Sequence, residues 1–549
     1  MSAVSSWGHC ARAAWAEASA GARVARKLGR DAVLRPGAVA AALREGVRGR
    51  GIPSWLRFHA ANTPDRIALT AKDRDLTFAD LDREVEAVAR GWLEAGLRRG
   101  DAVLLLLRNR PELVVAQLAA ARLGNRVVSG SWRSTPRELA HLAEHSRARG
   151  IVLETTLVPA WSTVGPNPRS AGRVYTVGGP SDDGDTAPFA ALRHAAPASA
   201  RPMRDATLRA SVVMYTSGTT GVPKGAVRRL DRGTAAPMVA LFDRTPLGLG
   251  QTHITVCPLH HATAMGFSTL ALGLGGRVVL LEGPFDPGRF FEAMARHPGA
   301  HTAVVPVMLR GLVTFAEGAA SSSLARPRAI FCGGAPLPGP LARRAIAAFG
   351  PVLFNFYGAT ETALVSLADS HDLLAAPGTI GRALPGNEVR LLGPDGREVP
   401  DGEVGELFVR SDNLVDGYDR DRAATAAAMR DGFFSVGDLA RRDARGYLFL
   451  EGRRHDVIIS GGVNVYPREV EMVLTGHPAV VEAAVIGVAD EVWGERVHAV
   501  VVTRTAVTEE ALLTHCRGQL AGPKRPRSVS FCAALPRTPT GKIRRSDLL

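Results

Sequence analysis

The sequence predicts an α/β fold, with a large N-terminal domain of β/α layered sheets and a small α+β C-terminal domain. At 549 residues the chain is too long for one hydrophobic core. Short apolar runs alternate with amphipathic stretches from residue 101 to 358, the pattern of β/α crossovers. After about residue 400 that rhythm gives way to shorter β-rich pieces, and a compact α+β pattern runs from 454 to the end.

The stretch "DAVLLLL" (101–107) reads as a buried strand, "RPELVVAQLAAARLG" (110–124) as a helix and "NRVVSG" (125–130) as a strand. A second helix, "TPRELAHLAEHSRARG" (135–150), leads into the strand "IVLE" (151–154). After a Gly, Pro, Ser and Asp-rich interval near 164–208, the strands "HITVCP", "GGRVVLLE", "HTAVVP", "PRAIFCGG" and "PVLFNFYG" alternate with helical segments. Parallel sheets follow, and their ligands gather outside the carboxyl ends of the strands. Three such ends stand out: "CPLHH" (257–261), "CGGAP" (332–336) and "NFYGATE" (355–361). The β-rich pieces are "GEVGELFVR" and "GYLFLEGR"; beyond them helices at 467–476 and 508–520 alternate with strands near 482–488, 497–503 and 527–533. A boundary within "EGRRHD" gives three parts: a basic arm (1–50), a large domain (51–452) and a small domain (453–549).

A content of 46% hydrophobic and 22% charged residues suits a globular chain, and no apolar run approaches the roughly 20 residues that span a bilayer. Five scattered cysteines without a CxxC pair read as reduced thiols in a cytoplasm-like compartment. The N-terminus lacks the apolar core of a secretory signal. Net charge is +14, and residues 1–50 hold nine basic against three acidic side chains. Apolar Val24, Leu28, Val33, Leu34, Val39, Leu43 and Val47 make this arm compatible with basic amphipathic helices broken near Pro36. It reads either as a peripheral contact with an anionic membrane or as a solvated helix docked on the main domain. No nucleic-acid-binding motif accompanies the charge.

Lysine is scarce: only residues 27, 72, 224, 524 and 542 among 67 basic positions. A position that keeps lysine over arginine selects a compact, mobile ammonium rather than a planar fork. Lys224 closes "YTSGTTGVPKGA" (215–226), a glycine-rich stretch after the apolar run "ASVVMY". Backbone N–H groups around Gly218 and Gly221 can cradle phosphate oxygens, with hydroxyls from Thr216, Ser217, Thr219 and Thr220 and charge from Lys224. The Walker A spacing is absent, since Pro223 stands five residues after Gly218. By composition alone, a surface loop fits this stretch as well as a phosphate clamp.

Other motifs have double readings too. Gly333 and Gly334, with Ala335 and Pro336, form a tight turn or bare backbone against a flat base. Tyr357, within Asn355–Gly358, is core or a stacking face. Thr360 and Glu361 are a helix cap or a phosphate donor and a hard oxygen ligand for Mg²⁺. Asp438, after a strand and a glycine, and Arg453 are surface charges or ribose contacts. His261 is structural or catalytic, and its neighbour His260 competes for the role.

In order, "YTSGTTGVPKGA", "CPLHH", "CGGAPL", "NFYGATET", "GFFSVGDLA", "GRRHDVIISGGVNVYPREVE" and "PRTPTGKIRR" resemble the blocks of the adenylate-forming superfamily. That superfamily includes acyl-CoA synthetases, peptide-synthetase adenylation domains and firefly-type luciferases. The resemblance runs from about residue 55 to the C-terminus and is nearest to bacterial fatty-acyl-CoA ligases. It implies an adenylate-forming N-terminal domain and a mobile C-terminal one. It also implies ATP, Mg²⁺ and coenzyme A as co-substrates and a fatty or similarly apolar carboxylic acid. The alternative is a free-standing adenylation enzyme that uses a carrier protein, a non-thiol acceptor or a small oxyacid.

By resemblance, residues 216–221 and Lys224 hold phosphate, Gly333–Pro336 and Asn355–Gly358 hold adenine, and Thr360 and Glu361 meet the α-phosphate and magnesium. Asp438 and Arg453 hold the ribose, His261 stands beside the reacting carboxylate, and Gly461 and Gly462 present backbone to the pantetheine arm. Lys542 matches the adenylation lysine, and Lys524 a position that is structural or near the pantetheine path. The implied pivot falls in "GRRHD", where His455 replaces the usual Asp or Lys.

Overall fold

The computed structural model describes residues 55–72, 74–164, 174–179, 186–195, 206–216, 224–230, 236–318, 324–537 and 543–548. The basic arm 1–50 lies outside them. Local sequence rules account for several elements. Thr77 and Asp80 form a reciprocal capping box on helix Phe78–Glu94, and Thr135 and Glu138 do the same on Pro136–Ser146, with Pro136 in its first turn. Strands Ala102–Leu106 and Gly150–Glu154 are buried at every position, as parallel strands covered on both faces must be.

The chain has the expected fold class: layered α/β sheets in a large N-terminal domain and a small α+β C-terminal domain. It divides into two compact units. The first contains the described residues up to Val304, with Gly318–Ile330 and Asp412–Thr425. One of its sheets runs in the order Gly417–Tyr418, Lys224–Arg229, Ser211–Thr216, Arg126–Ser129, Ala102–Leu106, Gly150–Glu154, Val174–Val177, Thr186–Pro188. The last two strands arise within the Gly/Pro-rich interval, where the sequence shows no clear period. In the other sheet Ile67–Ala71, Arg277–Leu280, Thr252–Thr255 and His301–Val304 lie side by side and parallel.

The second unit contains Val305–Glu317, Phe331–Ser411 and the described residues from Ala426 onward. Its C-terminal part is a sheet of Val463–Val465, Ile458–Ser460, Gly494–Thr503 and Val480–Asp490, with Ser528–Phe531 added in parallel. Val470 and Leu474 of helix Pro467–Thr475, and Leu512 and Cys516 of helix Glu509–Arg517, close its core against Val485, Val497, Ala499 and Val501.

The expectation of parallel sheets needs correction at two functional stretches. Ser211–Thr216 pairs antiparallel with Lys224–Arg229, and Leu353–Ala359 with Ala363–Ala368. The connections, 217–223 and 360–362, are too short for the dozen or more residues of a parallel crossover. Asp438 follows strand Phe433–Phe434 and Gly437, as read from the sequence, and itself opens strand Asp438–Arg442.

Two histidines are sealed in the first unit. His253 and His301 are cross-strand partners, 1% and 3% exposed, with ring centroids 4.8 Å apart, and His253 stacks on Phe267. Burial holds His253 well below the usual histidine range, aided by the His301 charge. Burial and then the Arg328 charge push His301 down to about 4. The unfolded chain takes up protons below about pH 6.5, which the fold refuses, so stability is lost as pH falls through that value. For His301 alone the loss is roughly 2 kcal/mol at pH 5. The melting temperature is therefore expected to fall between pH 7 and pH 5, and to fall less in His253→Phe; an equal fall in the variant would refute this account.

Candidate active site

In the second unit a tight hairpin sets out Thr360 and Glu361. Ala359 pairs with Ala363, so residues 360–362 form the turn, and Ala363 takes φ +57°, a left-handed value that L side chains rarely adopt. Thr362 Oγ1 accepts from the Ala359 N–H at 3.0 Å, closing the turn. Gly358 is required here, because a Cβ on it would run into the Ala363 carbonyl. Thr360 is half-buried, and Glu361 is 5% exposed.

At the base of the same strand pair, three of the predicted ligands meet. The Tyr357 hydroxyl donates to Asp438 Oδ2 at 2.8 Å, and Arg453 Nε lies 3.1 Å from Asp438 Oδ1. Asp438 and Arg453 are cross-strand partners, which fixes their spacing. Burial, then the Asp438 charge, raises the Tyr357 phenol well above its usual range, so it stays a donor. The cluster orients a carboxylate and a guanidinium side by side, suited to a diol.

The turn Gly333–Pro336 is only partly accessible. Gly333 is buried, and a Cβ on it would stand 2.5 Å from the Phe356 ring. Its bare face is thus occupied by Phe356 rather than left open. Gly334, at φ +77°, and Pro336 are exposed and Ala335 is half-buried, so these three form the accessible edge. Asn355 also turns inward: its amide donates to the Thr379 carbonyl at 2.8 Å. It braces the strand.

In the first unit, Thr216 ends its strand and Lys224 begins the next, its Nζ 5.3 Å from the centroid of the Tyr418 ring. Ser217, Gly218, Thr219, Thr220 and Gly221 lie outside the described residues. His261 is the N-cap residue of helix Ala262–Gly273, half-buried, with its ring centroid 4.0 Å from that of His260. His260 is 7% exposed; burial and the Arg133 charge push it down to about 4, so it is neutral at physiological pH. Sequence reasoning missed the residue that shapes this corner. Asn109 donates to the Cys257 carbonyl at 2.9 Å and accepts from the Leu259 N–H at 2.8 Å, clamping "CPLHH" on both sides. It follows strand Ala102–Leu106 at the carboxyl end, where the rule for parallel sheets already pointed.

In the C-terminal part, Gly461 (φ +58°) and Gly462 (φ +76°) make the two-residue turn between Ile458–Ser460 and Val463–Val465. A side chain on Gly461 would meet the Trp493 ring at 2.6 Å. Lys524 is ion-paired: its Nζ lies 2.9 and 2.8 Å from the two Glu469 carboxylate oxygens. Lys542 lies outside the described residues, but Arg537 and Ile543 on either side of it form a β-bridge. Arg537 also binds Glu482 at 2.6 Å, and Arg545 binds Glu471 and Asp456. His455 Nε2 stands 3.5 Å from Asp456 Oδ1 in the short turn Arg454–Asp456.

Among the described residues, no group of three His, Cys, Asp or Glu side chains is arranged to hold a metal by itself. Magnesium on a nucleotide needs only one or two carboxylates, since phosphate oxygens and water complete its shell. The buried Glu361 carboxylate fits that demand.

Comparison with known proteins identifies the family. The family profile for AMP-binding enzymes matches residues 56–419, and that for the AMP-binding enzyme C-terminal domain matches 469–542. A feruloyl-CoA synthase of Amycolatopsis sp is 35% identical over 507 residues, covering 91% of this chain and 99% of the relative. An indoleacetate–CoA ligase of Aromatoleum aromaticum is 32% identical over 501 residues, covering 90% and 97%. The o-succinylbenzoate CoA synthetase of Bacillus subtilis, solved with ATP and a magnesium ion, superposes with a TM-score of 0.78 at 28% identity, covering 90% of this chain and 99% of that one. With both domains matched and the relatives aligned almost end to end, the chain belongs to the AMP-binding enzyme family.

Proposed function

We propose that this chain is an acid–thiol ligase that uses ATP, Mg²⁺ and coenzyme A to make an acyl-CoA through an acyl-adenylate, and that its acid is apolar and compact, with aryl acids ahead of fatty ones. The observation that carries the first part is the Tyr357–Asp438–Arg453 cluster beside the Thr360–Glu361 hairpin, in a chain of this family. The acids named for two relatives, feruloyl and indoleacetate, support the aryl part. So does helix Ala262–Gly273, where small Ala262 and Gly266 follow His261 and a Cβ on Gly266 would meet nothing within 4 Å. Fatty acids, favoured by the sequence resemblance, have no comparable support.

A carboxylate is a poor electrophile because attack adds charge to an anion. In the proposed reaction its oxygen attacks the α-phosphorus of ATP; the bond to pyrophosphate breaks, and the acyl carbon gains a good leaving group. Asp438 and Arg453 would hold the ribose, and Thr360 would donate to an α-phosphate oxygen. Glu361 would ligate magnesium, which neutralises phosphate charge when bound. Lys224 and Lys542 would oppose the remaining negative charge, each contributing on the order of a few kcal/mol in a water-excluded site. His261 would border the carboxylate. The coenzyme A thiol then attacks the acyl carbon, the bond to AMP breaks and the thiol proton leaves.

A pyrophosphate-release screen across aryl, short-chain and long-chain acids, with and without coenzyme A, tests this reading. Expected is release with aryl acids and thioester only when coenzyme A is present. Turnover confined to long-chain acids would overturn the substrate assignment, and acyl transfer independent of coenzyme A would overturn the acceptor.

A further inference from the structure

The first unit holds a cavity of about 450 Å³ at the amino ends of its parallel strands. That volume lies within the roughly 300–1,000 Å³ of small-molecule sites. Strand pairing builds its floor. Arg126 pairs with Ser211, and Ser211 with Arg229, so three adjacent strands set these side chains in one row on one face of the sheet. Neighbouring strands lie about 4.8 Å apart, which spaces the two arginine stems by roughly 10 Å with Ser211 between them. Two more arginines come from connections at the same end of the sheet. Arg209 ends the short turn Thr207–Arg209 that leads into Ser211, and Arg99 lies just before strand Ala102–Leu106. Gly124, at φ +73°, makes room there: a Cβ on it would stand 3.4 Å from the Arg99 side chain and 3.2 Å from that of Ala206.

Among the described residues the wall carries four guanidinium groups against one carboxylate, that of Asp416. Arg126 is already matched by Asp419 at 2.6 Å, which holds its head in place. Setting one further arginine against Asp416 still leaves two positive charges in excess. Arg99 and Arg209 are exposed, and neither forms an ion pair among the described residues. Donors that converge from several elements, with a serine hydroxyl among them, suit an acceptor whose oxygens spread in three dimensions; a planar carboxylate engages a single fork. A phosphate monoester carries close to two negative charges at pH 7, which matches the excess.

The cavity stands apart from the groups assigned to ATP. Thr216 pairs with Lys224 at the other end of the same two strands, about 17 Å from Ser211 at roughly 3.3 Å per residue. Ligands of parallel sheets gather at carboxyl ends, and this cavity lies at the amino ends. We propose that it is a second anion site, which takes a doubly charged phosphate group, either free phosphate or the monoester of a small metabolite. Arg99, Arg209 and Arg229 bind its oxygens, Ser211 donates its hydroxyl, and Arg126, held by Asp419, closes the remaining side.

Calorimetric titration of the full chain with inorganic phosphate and, separately, with ribose 5-phosphate tests this. Arg209→Gln is expected to weaken binding about tenfold and Arg99→Gln/Arg209→Gln roughly a hundredfold, the order of losing one and two charge-assisted hydrogen bonds. Arg209→Lys, which keeps the charge without the fork, should fall between wild type and Arg209→Gln. Lys224→Ala should leave phosphate binding intact. Because Arg99 and Arg209 are exposed, the variants should keep the wild-type melting temperature, and their acid-dependent pyrophosphate release, measured without added phosphate, should stay within about twofold of wild type. Tighter binding of ribose 5-phosphate would support the site and make its ligand an ester; equal affinities would support it with free phosphate as the recognised group. Absence of saturable binding with both probes, affinity unchanged in the double variant, equal displacement by chloride, or binding lost in Lys224→Ala but kept in the arginine variants would overturn the proposal.

Discussion

Replacing Lys542 by alanine is expected to cut acid-dependent pyrophosphate release by roughly 10²- to 10³-fold, the scale on which removal of one preorganised charge-stabilising donor acts. Thioester formation from a supplied acyl-adenylate should survive. The two half-reactions make opposite demands: the first crowds negative oxygens around phosphorus and needs a mobile ammonium there, whereas the second needs space for a thiol at the acyl carbon. A residue that serves only the first can be lost without harm to the second. The choice of lysine in a chain with five lysines among 67 basic residues fits that demand. On either side of it Arg537 and Ile543 form a bridge and Arg545 binds Glu471 and Asp456, contacts that Lys542→Ala does not remove. His455→Pro is expected to give the opposite pattern. Proline fixes φ near −65° in the turn Arg454–Asp456, where the C-terminal domain is inferred to pivot between half-reactions, so adenylation should persist while thioester formation falls. Radiolabelled pyrophosphate exchange and thioester assays on the two variants read these outcomes directly. Equal loss of both steps in Lys542→Ala would contradict the division of labour, and unchanged thioester formation in His455→Pro would remove the pivot.

Part of the candidate site is legible in the sequence alone, for identifiable physical reasons. Strand ends announce themselves through apolar runs that stop at Gly, Pro or His, and so "CPLHH", "CGGAP" and "NFYGATE" were found. Lysine scarcity singled out Lys224 and Lys542. What the sequence hid were partnerships across distance. Nothing local to Asn109 says that it clamps Cys257 and Leu259, nearly 150 residues away. The pairing of His145 with Tyr215 depends on one helix end lying over one strand. Two of the residues assigned by resemblance to adenine also have partners inside the fold that the sequence did not show: Gly333 makes room for Phe356, and Asn355 braces Thr379. Antiparallel pairing at 211–229 and 353–368 escaped notice because apolar strands read alike in either direction, and only the short connections reveal the hairpins.

Glu361→Gln is expected to raise the Mg²⁺ concentration needed for half-maximal pyrophosphate release by at least the roughly 10- to 100-fold that loss of an outer-shell partner costs a metal site. Glutamine keeps the shape and the hairpin but removes the charge that a hard divalent cation seeks. Thr362 closes the hairpin and Ala363 sets its backbone angle, and circular dichroism on the variant checks that the fold is retained. Thr360→Ala is predicted to act differently, lowering kcat with little change in the Mg²⁺ requirement, because its hydroxyl is assigned to the α-phosphate rather than to the metal. The double variant Thr360→Ala/Glu361→Ala should show both defects. Magnesium titrations at fixed ATP separate the cases: a Mg²⁺ dependence in Glu361→Gln that superposes on wild type would show that this carboxylate is not the ligand, and the buried acid at the hairpin tip would then need another explanation.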